Sequence, residues 1–132
     1  MPSHTRSRAA FSIIELLAVL VVMGVLVGLA IPRFTRYKEK ANVAAMVSDL
    51  RHLAAAQEEY WNATRRYSAD TSAIDMTLSP GVSIILESAD STGWSARATH
   101  SAGPSVCAIF YGTAPALPPA EKANVIGCGG KG

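Results

Sequence analysis

The chain of 132 residues is long enough for one small domain and too short for two independent hydrophobic cores. Hydrophobic residues make up 49% of it and charged residues only 17%, below the roughly 25% typical of soluble domains, which excludes a charged disordered tail protein. The formal net charge of +2 is too small to indicate nucleic acid binding, so no specific nucleic acid partner is predicted.

The apolar excess is concentrated in residues 11–31, FSIIELLAVLVVMGVLVGLAI, where Glu15 is the only charged residue. About 20 residues of α-helix span the roughly 30 Å hydrocarbon layer of a membrane. A core helix of a soluble domain would have a polar face, which this stretch lacks. The pattern predicts a transmembrane helix, with a buried helix of a soluble domain as the alternative.

The flanking charges leave the orientation of this helix open. Arg6 and Arg8 precede it, whereas four basic residues follow it within ten positions, namely Arg33, Arg36, Lys38 and Lys40. The more basic flank of a transmembrane helix usually stays in the cytoplasm, which here opposes secretion of the C-terminal part. A second interpretation is a secreted binding domain whose ordinary signal peptide is cut after Ala30. Its apolar region would be unusually long and would contain Glu15.

The residues around Glu15 resemble another kind of leader. Residues 8–17, RAAFSIIELL, are similar to the class III signal of type IV prepilins and of the pseudopilins of type II secretion. That family cuts a short basic leader just before a phenylalanine and N-methylates the new amino terminus. The resemblance implies cleavage between Ala10 and Phe11 and methylation of Phe11. The family usually has glycine where this chain has Ala10, and the small side chain of alanine is the least disruptive replacement.

The resemblance continues to the end of the apolar stretch and implies roles in assembly for Glu15, Gly24 and Pro32. A carboxylate inside a bilayer costs a few kcal/mol, so Glu15 needs a physical reason. The amino group of a processed Phe11 would be a cation about one helical turn, or about 6 Å, away. This cation of the same chain, or of a neighbouring subunit, would neutralise the carboxylate. The alternative is a tolerated glutamate at the membrane interface.

After Pro32 the pattern becomes amphipathic and predicts one helix from about residue 12 to 66. Apolar residues recur at spacings of three and four, at Val43, Val47, Leu50, Ala54, Tyr60 or Trp61, and Ala63. The opposite, polar face is predicted to carry Lys40, Asp49, Arg51, Glu58, Glu59, Arg65 and Arg66. Pro32 removes one backbone donor and is expected to leave the helix continuous.

Residues 68–80 read as a loop, and three strands are predicted at 81–88, 94–100 and 105–111. The short turn sequences between them indicate an antiparallel meander. The predicted fold class is α+β and pilin-like, with a long N-terminal helix packed on a small antiparallel sheet. The three parts are a cleaved leader, a transmembrane or filament-core helix, and a globular domain, at residues 1–10, 11–32 and 33–132. The globular domain is divided into an amphipathic helix at 33–66, a sheet at 81–111 and a closed C-terminal loop at 107–128.

Cys107 and Cys128 are the only cysteines, and outside the cytoplasm they are expected to be oxidised. Pilins commonly close their C-terminal loop with such a disulfide, and these two positions look similar. Two free thiols are the alternative. The proline- and glycine-rich tail from residue 113 is not expected to form a regular strand over its whole length.

The sequence thus favours a structural protein with no catalytic residues and no cofactor. No metal is predicted either, because His4, His52 and His100 lack ligand spacing. The family resemblance implies a subunit of a type IV pilus, made as a precursor in the inner membrane and polymerised into an extracellular filament. Its partners would be identical or related pilins, the prepilin peptidase and methyltransferase, the inner membrane and the assembly machinery. The closest alternative is a minor pilin, or a pseudopilin in a periplasmic pseudopilus.

Overall fold

A computed structural model of the chain describes residues 10–130. The basic leader residues Arg6 and Arg8 lie outside the described residues, as do residues 131–132. The chain divides into two compact units, Met1–Arg36 and Tyr37–Gly132, which are described separately below.

The N-terminal element is one α-helix, α1, at Ile13–Thr64, with Pro32 inside it. The prediction of a single long helix is confirmed, although the helix ends two residues earlier than expected. The reason is local, since Arg65 adopts a positive φ of 61° that α-helices do not accept. The hydroxyl of Thr64 closes this end by donating to the Tyr60 carbonyl at 2.8 Å.

Four antiparallel strands follow in the second unit. They are β1 at Val82–Ala89, β2 at Gly93–His100, β3 at Val106–Gly112 and β4 at Gly127–Gly129, in the spatial order β1-β2-β3-β4. The three predicted strands are confirmed to within one residue at each end. The short β4 was not predicted, and it extends the sheet beyond the predicted limit at residue 111. Its Cys128 lies directly opposite Cys107 of β3.

The helix packs on one face of this sheet, so the predicted α+β, pilin-like fold class is confirmed. Met46, Leu50 and Leu53 of α1 are fully buried. They belong to one apolar cluster with strand residues, which include Ile84 of β1, Trp94, Ala96 and Ala98 of β2, and Cys107 and Ile109 of β3. The strand side chains alternate in direction, which leaves every second residue of β3 facing away from the helix.

The predicted polar face of the helix is wrong at Asp49. Its side chain is only 2% exposed, and its carboxylate accepts hydrogen bonds from the backbone N–H and the hydroxyl of Ser79, at 2.7 and 2.9 Å. Gln57 is also buried, and its amide exchanges two 2.8 Å hydrogen bonds with the backbone of Ser68. Gln57 and Asp49 therefore attach the segment between α1 and β1 to the helix, at the start and near the end of that segment.

The other face of β3 is covered by the C-terminal segment. Ala108 and Phe110 form a second small apolar cluster with Ala120. The backbone N–H of Asn124 donates to the Phe110 carbonyl at 2.7 Å. At the start of β4, a Cβ on Gly127 would collide with the carbonyl oxygen of Pro119, so this position requires glycine. Close backbone packing and single hydrogen bonds therefore order a tail that has little regular structure.

Candidate functional site

The predicted cleavage site lies just before the helix. Ala10, Phe11 and Ser12 have no helical structure, and all three are exposed, with the Phe11 side chain 71% accessible. A peptide bond in an exposed segment outside regular structure is the kind that a peptidase can bind and cut. The Ala10–Phe11 bond lies outside regular structure, and its cleavage stays a prediction.

Glu15 lies in the first turn of α1, three residues after Ser12. The Ser12 hydroxyl accepts a hydrogen bond from the Glu15 backbone N–H at 3.3 Å, and the Ser12 carbonyl accepts from the N–H groups of Glu15 and Leu16 at 3.1 Å. This is the N-cap half of a capping box, and a carboxylate in the first turn also interacts favourably with the helix dipole. The capping role of Ser12 was missed, although the Ser-x-x-Glu spacing is its sequence signal.

The carboxylate of Glu15 remains available for another contact. Within residues 10–130 its side chain has neither a hydrogen bond nor an ion pair. An isolated carboxylate that is surrounded by apolar side chains needs a cation, whether it lies in lipid or between packed helices. The predicted pairing with the Phe11 amino group stays a prediction, since it requires a processed terminus.

The apolar part of α1 is uncovered in the first unit. The side chains of Leu20, Val21 and Leu26 are 61–66% exposed, and the apolar stretch is long enough to cross a membrane. In the second unit, Leu50 and Leu53 of the same helix are fully buried. An exposed apolar surface of this extent is stable in lipid or against other apolar helices.

Two predicted assembly positions lie on this apolar part. A Cβ at Gly24 would meet no atom within 4 Å, so the backbone there is open to close approach by another chain. At Pro32 the helix continues, and the Thr35 hydroxyl donates to the Pro32 carbonyl at 3.0 Å. Within the described chain, the structure does not bring Glu15, Gly24 and Pro32 together, because more than two turns of one helix separate each from the next.

The two cysteines are brought together. Cys107 and Cys128 form the disulfide that the resemblance implied, between adjacent strands of the sheet. Cys107 is fully buried in the apolar cluster, whereas Cys128 is exposed at the edge. The bond closes the loop that covers Phe110 and fixes the three-residue strand β4 to the rest of the sheet.

A cluster of aromatic rings joins the end of α1 to the sheet. The Tyr67 ring lies 6.4 Å from that of Trp61 and 5.8 Å from that of Tyr111. Burial raises the pKa of Tyr67, and the hydrogen bond that its hydroxyl donates to the Glu58 carboxylate at 3.1 Å raises this pKa further. The phenol therefore stays protonated across the physiological range. This arrangement has the features of a packed core with a satisfied hydroxyl.

Asp90 organises the turn between β1 and β2. Its carboxylate accepts hydrogen bonds from the backbone N–H and hydroxyl of Thr92 and from the N–H of Gly93, at 2.6–2.9 Å. The bond from the Thr92 backbone contributes most to lowering the pKa of this exposed carboxyl below its usual value. The Trp61 indole N–H donates to the Ser91 carbonyl at 3.1 Å, which attaches the turn to the helix.

Within residues 10–130, His, Cys, Asp and Glu side chains do not form a group of three or more that could hold a metal ion. The second unit has a cleft of about 350 Å³ that is lined by Val47, Arg51, Ile109 and Val125 among others. Its walls carry one charged group and no pair of groups arranged for acid–base chemistry. No family model matches the chain, and neither does any curated protein.

Proposed function

We propose that this chain is a structural subunit of a type IV pilus filament. It is made as a membrane-anchored prepilin, cut between Ala10 and Phe11, N-methylated on Phe11, and polymerised through the apolar part of α1. The main support for this proposal is the difference in burial between two parts of one helix. Residues 13–31 of α1 are exposed and, apart from Glu15, apolar, whereas Met46, Leu50 and Leu53 are fully buried.

This contrast supports a helix with two successive environments. The bilayer covers residues 11–31 in the precursor, and the equivalent helices of other subunits cover them in the filament. Exchanging lipid contact for protein contact leaves the apolar surface buried in both states, so the transfer costs little hydrophobic free energy. The partners are identical or related subunits, together with the peptidase, the methyltransferase and the assembly machinery of the inner membrane.

A secreted domain with a signal peptide cut after Ala30 is the less favoured proposal. Ala30 lies inside α1, which continues without interruption to Thr64, whereas Ala10 and Phe11 lie before its first turn. Intact mass of the isolated mature protein separates the two. Our proposal expects an amino terminus at Phe11 that carries about 14 Da of added methyl mass, and an amino terminus at Ile31 would refute it.

The first experiment tests the processing step. Ala10→Gly is expected to be cut at least as fast as the wild-type chain, because the peptidase requires a small residue before the cut. Ala10→Leu is expected to leave full-length precursor in the membrane. Immunoblotting of membrane fractions measures the precursor and the mature form. Normal maturation of the leucine variant would refute the class III assignment.

The second experiment tests assembly. Glu15→Gln keeps the shape of the side chain and removes its charge, so the variant is expected to insert and to be cut but to form few surface filaments. Glu59→Gln is the matched control, since it removes an exposed carboxylate from the second unit. Surface filaments are sheared from cells and quantified, with the leader state measured in parallel. A wild-type filament yield from Glu15→Gln alone would show that the charge is dispensable.

A pseudopilin or minor pilin is the second candidate within the same proposal. The disulfide-closed tail is compatible with both candidates, because the periplasm and the cell surface are both oxidising. Deleting the gene for this chain and imaging the cell surface distinguishes the pilus subunit from the pseudopilin. Loss of long filaments supports the pilus subunit, and intact filaments with a defect in protein secretion support the pseudopilin.

A further inference from the structure

Two arginines lie immediately beyond the apolar part of α1. Arg33 and Arg36 both belong to the first unit, and both are exposed. Residues three apart on an α-helix differ by about 60° around its axis, so the two side chains leave the helix on the same side. They form a small basic surface at one end of the predicted membrane span.

The spacing along the helix places this basic surface at a membrane boundary. Helix α1 begins at Ile13, and twenty residues at 1.5 Å each separate Ile13 from Arg33, which is about 30 Å. The hydrocarbon core of a bilayer has the same thickness. When the capped first turn lies at one boundary, the two guanidinium groups therefore lie among the headgroups at the other.

Neither guanidinium forms a polar contact within the described residues. Within residues 10–130 the structure gives Arg33 and Arg36 no hydrogen bond and no ion pair. The nearby Thr35 hydroxyl donates to the Pro32 carbonyl of the helix itself and so does not compete for an external ligand. Each guanidinium offers planar, paired donors that match the oxygens of a phosphate group.

The sign of the charge favours an anionic ligand. In the orientation that our proposed function requires, residues 33–132 lie outside the cytoplasm, and basic residues there oppose the usual bias of membrane topology. Near a membrane surface that contains anionic lipids, each arginine strengthens binding by about fivefold.

We infer that Arg33 and Arg36 bind the phosphates of anionic phospholipids and hold the unassembled subunit at a fixed depth in the membrane. The inference rests on the membrane-anchored form in our proposed function. It concerns the stage before polymerisation, when lipid still surrounds the apolar part of the helix. Acidic side chains of neighbouring copies are the competing partners and are an outcome of the test.

The test uses the full chain in vesicles of phosphatidylcholine that contain phosphatidylglycerol. Spin-labelled versions of the two lipids report which one occupies the shell around the protein at low salt. We expect a preference of the wild-type chain for phosphatidylglycerol. For Arg33→Gln/Arg36→Gln this preference should fall by at least fivefold and by up to about 25-fold, since each arginine contributes about fivefold. The matched control, Arg51→Gln, changes an exposed arginine of the second unit and should leave the preference unchanged. The wild-type preference should also fall in 1 M salt.

Extraction with alkaline carbonate separates failure of this inference from failure of the proposed function. If the wild-type chain is extracted, it is not anchored in the membrane and the proposed function fails. If the double variant stays inserted and keeps the full preference, the lipid site is refuted and the anchored form stands. A wild-type chain that is inserted but shows no lipid preference also refutes the site, and it leaves the arginines to acidic partners on other copies.

Discussion

Removing the disulfide is expected to lower the thermal stability of the second unit substantially. The change is Cys107→Ala/Cys128→Ser, chosen because Cys107 is fully buried, where a hydroxyl would be unsatisfied, and Cys128 is exposed. The two cysteines are 21 residues apart in sequence. Closing a loop of that length removes chain entropy from the unfolded state that corresponds to about 3 kcal/mol.

This free energy converts to a shift that is easily measured. For a domain of about 100 residues, 1 kcal/mol changes the Tm by about 4–8 °C, so the expected loss is about 12–24 °C. The full chain in detergent micelles would be heated while near-ultraviolet circular dichroism follows Trp94, which is 1% exposed. The far-ultraviolet signal of the apolar helix should persist through this transition, since the disulfide lies in the other unit.

Two controls separate the covalent constraint from packing. The reduced wild-type chain keeps every atom of both side chains and should melt close to the double variant. Val125→Ala removes a 53% exposed side chain from the same closed loop and should melt close to the oxidised wild-type chain. If the double variant or the reduced chain loses less than about 4 °C, the loop-closure reasoning is refuted.

Three further changes are expected to affect stability in ways that the same thermal assay can check. Asp49→Ala leaves the two donors of half-buried Ser79 without an acceptor and should cost about 2 kcal/mol, whereas a loss below about 0.5 kcal/mol would contradict this. Leu50→Ala should lower the free energy of unfolding by about 2–5 kcal/mol, because the side chain is fully buried. Ile85→Ala changes a side chain that is 59% exposed and should lower it far less. Equal losses would contradict this account of the core. Asp90→Asn should lower the Tm at neutral pH. The difference in Tm between the variant and the wild-type chain should shrink as the pH falls through the lowered pKa of Asp90, below 3.8, because the wild-type chain then loses the same charge. A difference that stays unchanged down to pH 2.5 would show that the charge does not stabilise the turn.

The regular elements could be predicted because each follows from a short-range pattern. The apolar stretch and the amphipathic periodicity after it predicted one helix through Pro32, and β-branched residues between turn sequences predicted β1, β2 and β3. Helix and strand patterns repeat every few residues, so they are readable without knowing the partner surface. The roles of Phe11 and Glu15 follow from the resemblance of residues 8–17 to a prepilin signal, and they stay predictions.

The tertiary structure decided which side chains each element buries and how the tail folds. Asp49 has a polar side chain, and only the long-range approach of Ser79 makes its burial favourable. Strand β4 consists of two glycines and Cys128, and its pairing depends on β3 and on the disulfide rather than on strand propensity. Burial and pairing of this kind depend on contacts between residues distant in sequence. The short-range patterns of the chain therefore determined β1, β2, β3 and the long helix with its membrane-length apolar part, and packing determined β4 and the buried polar contacts.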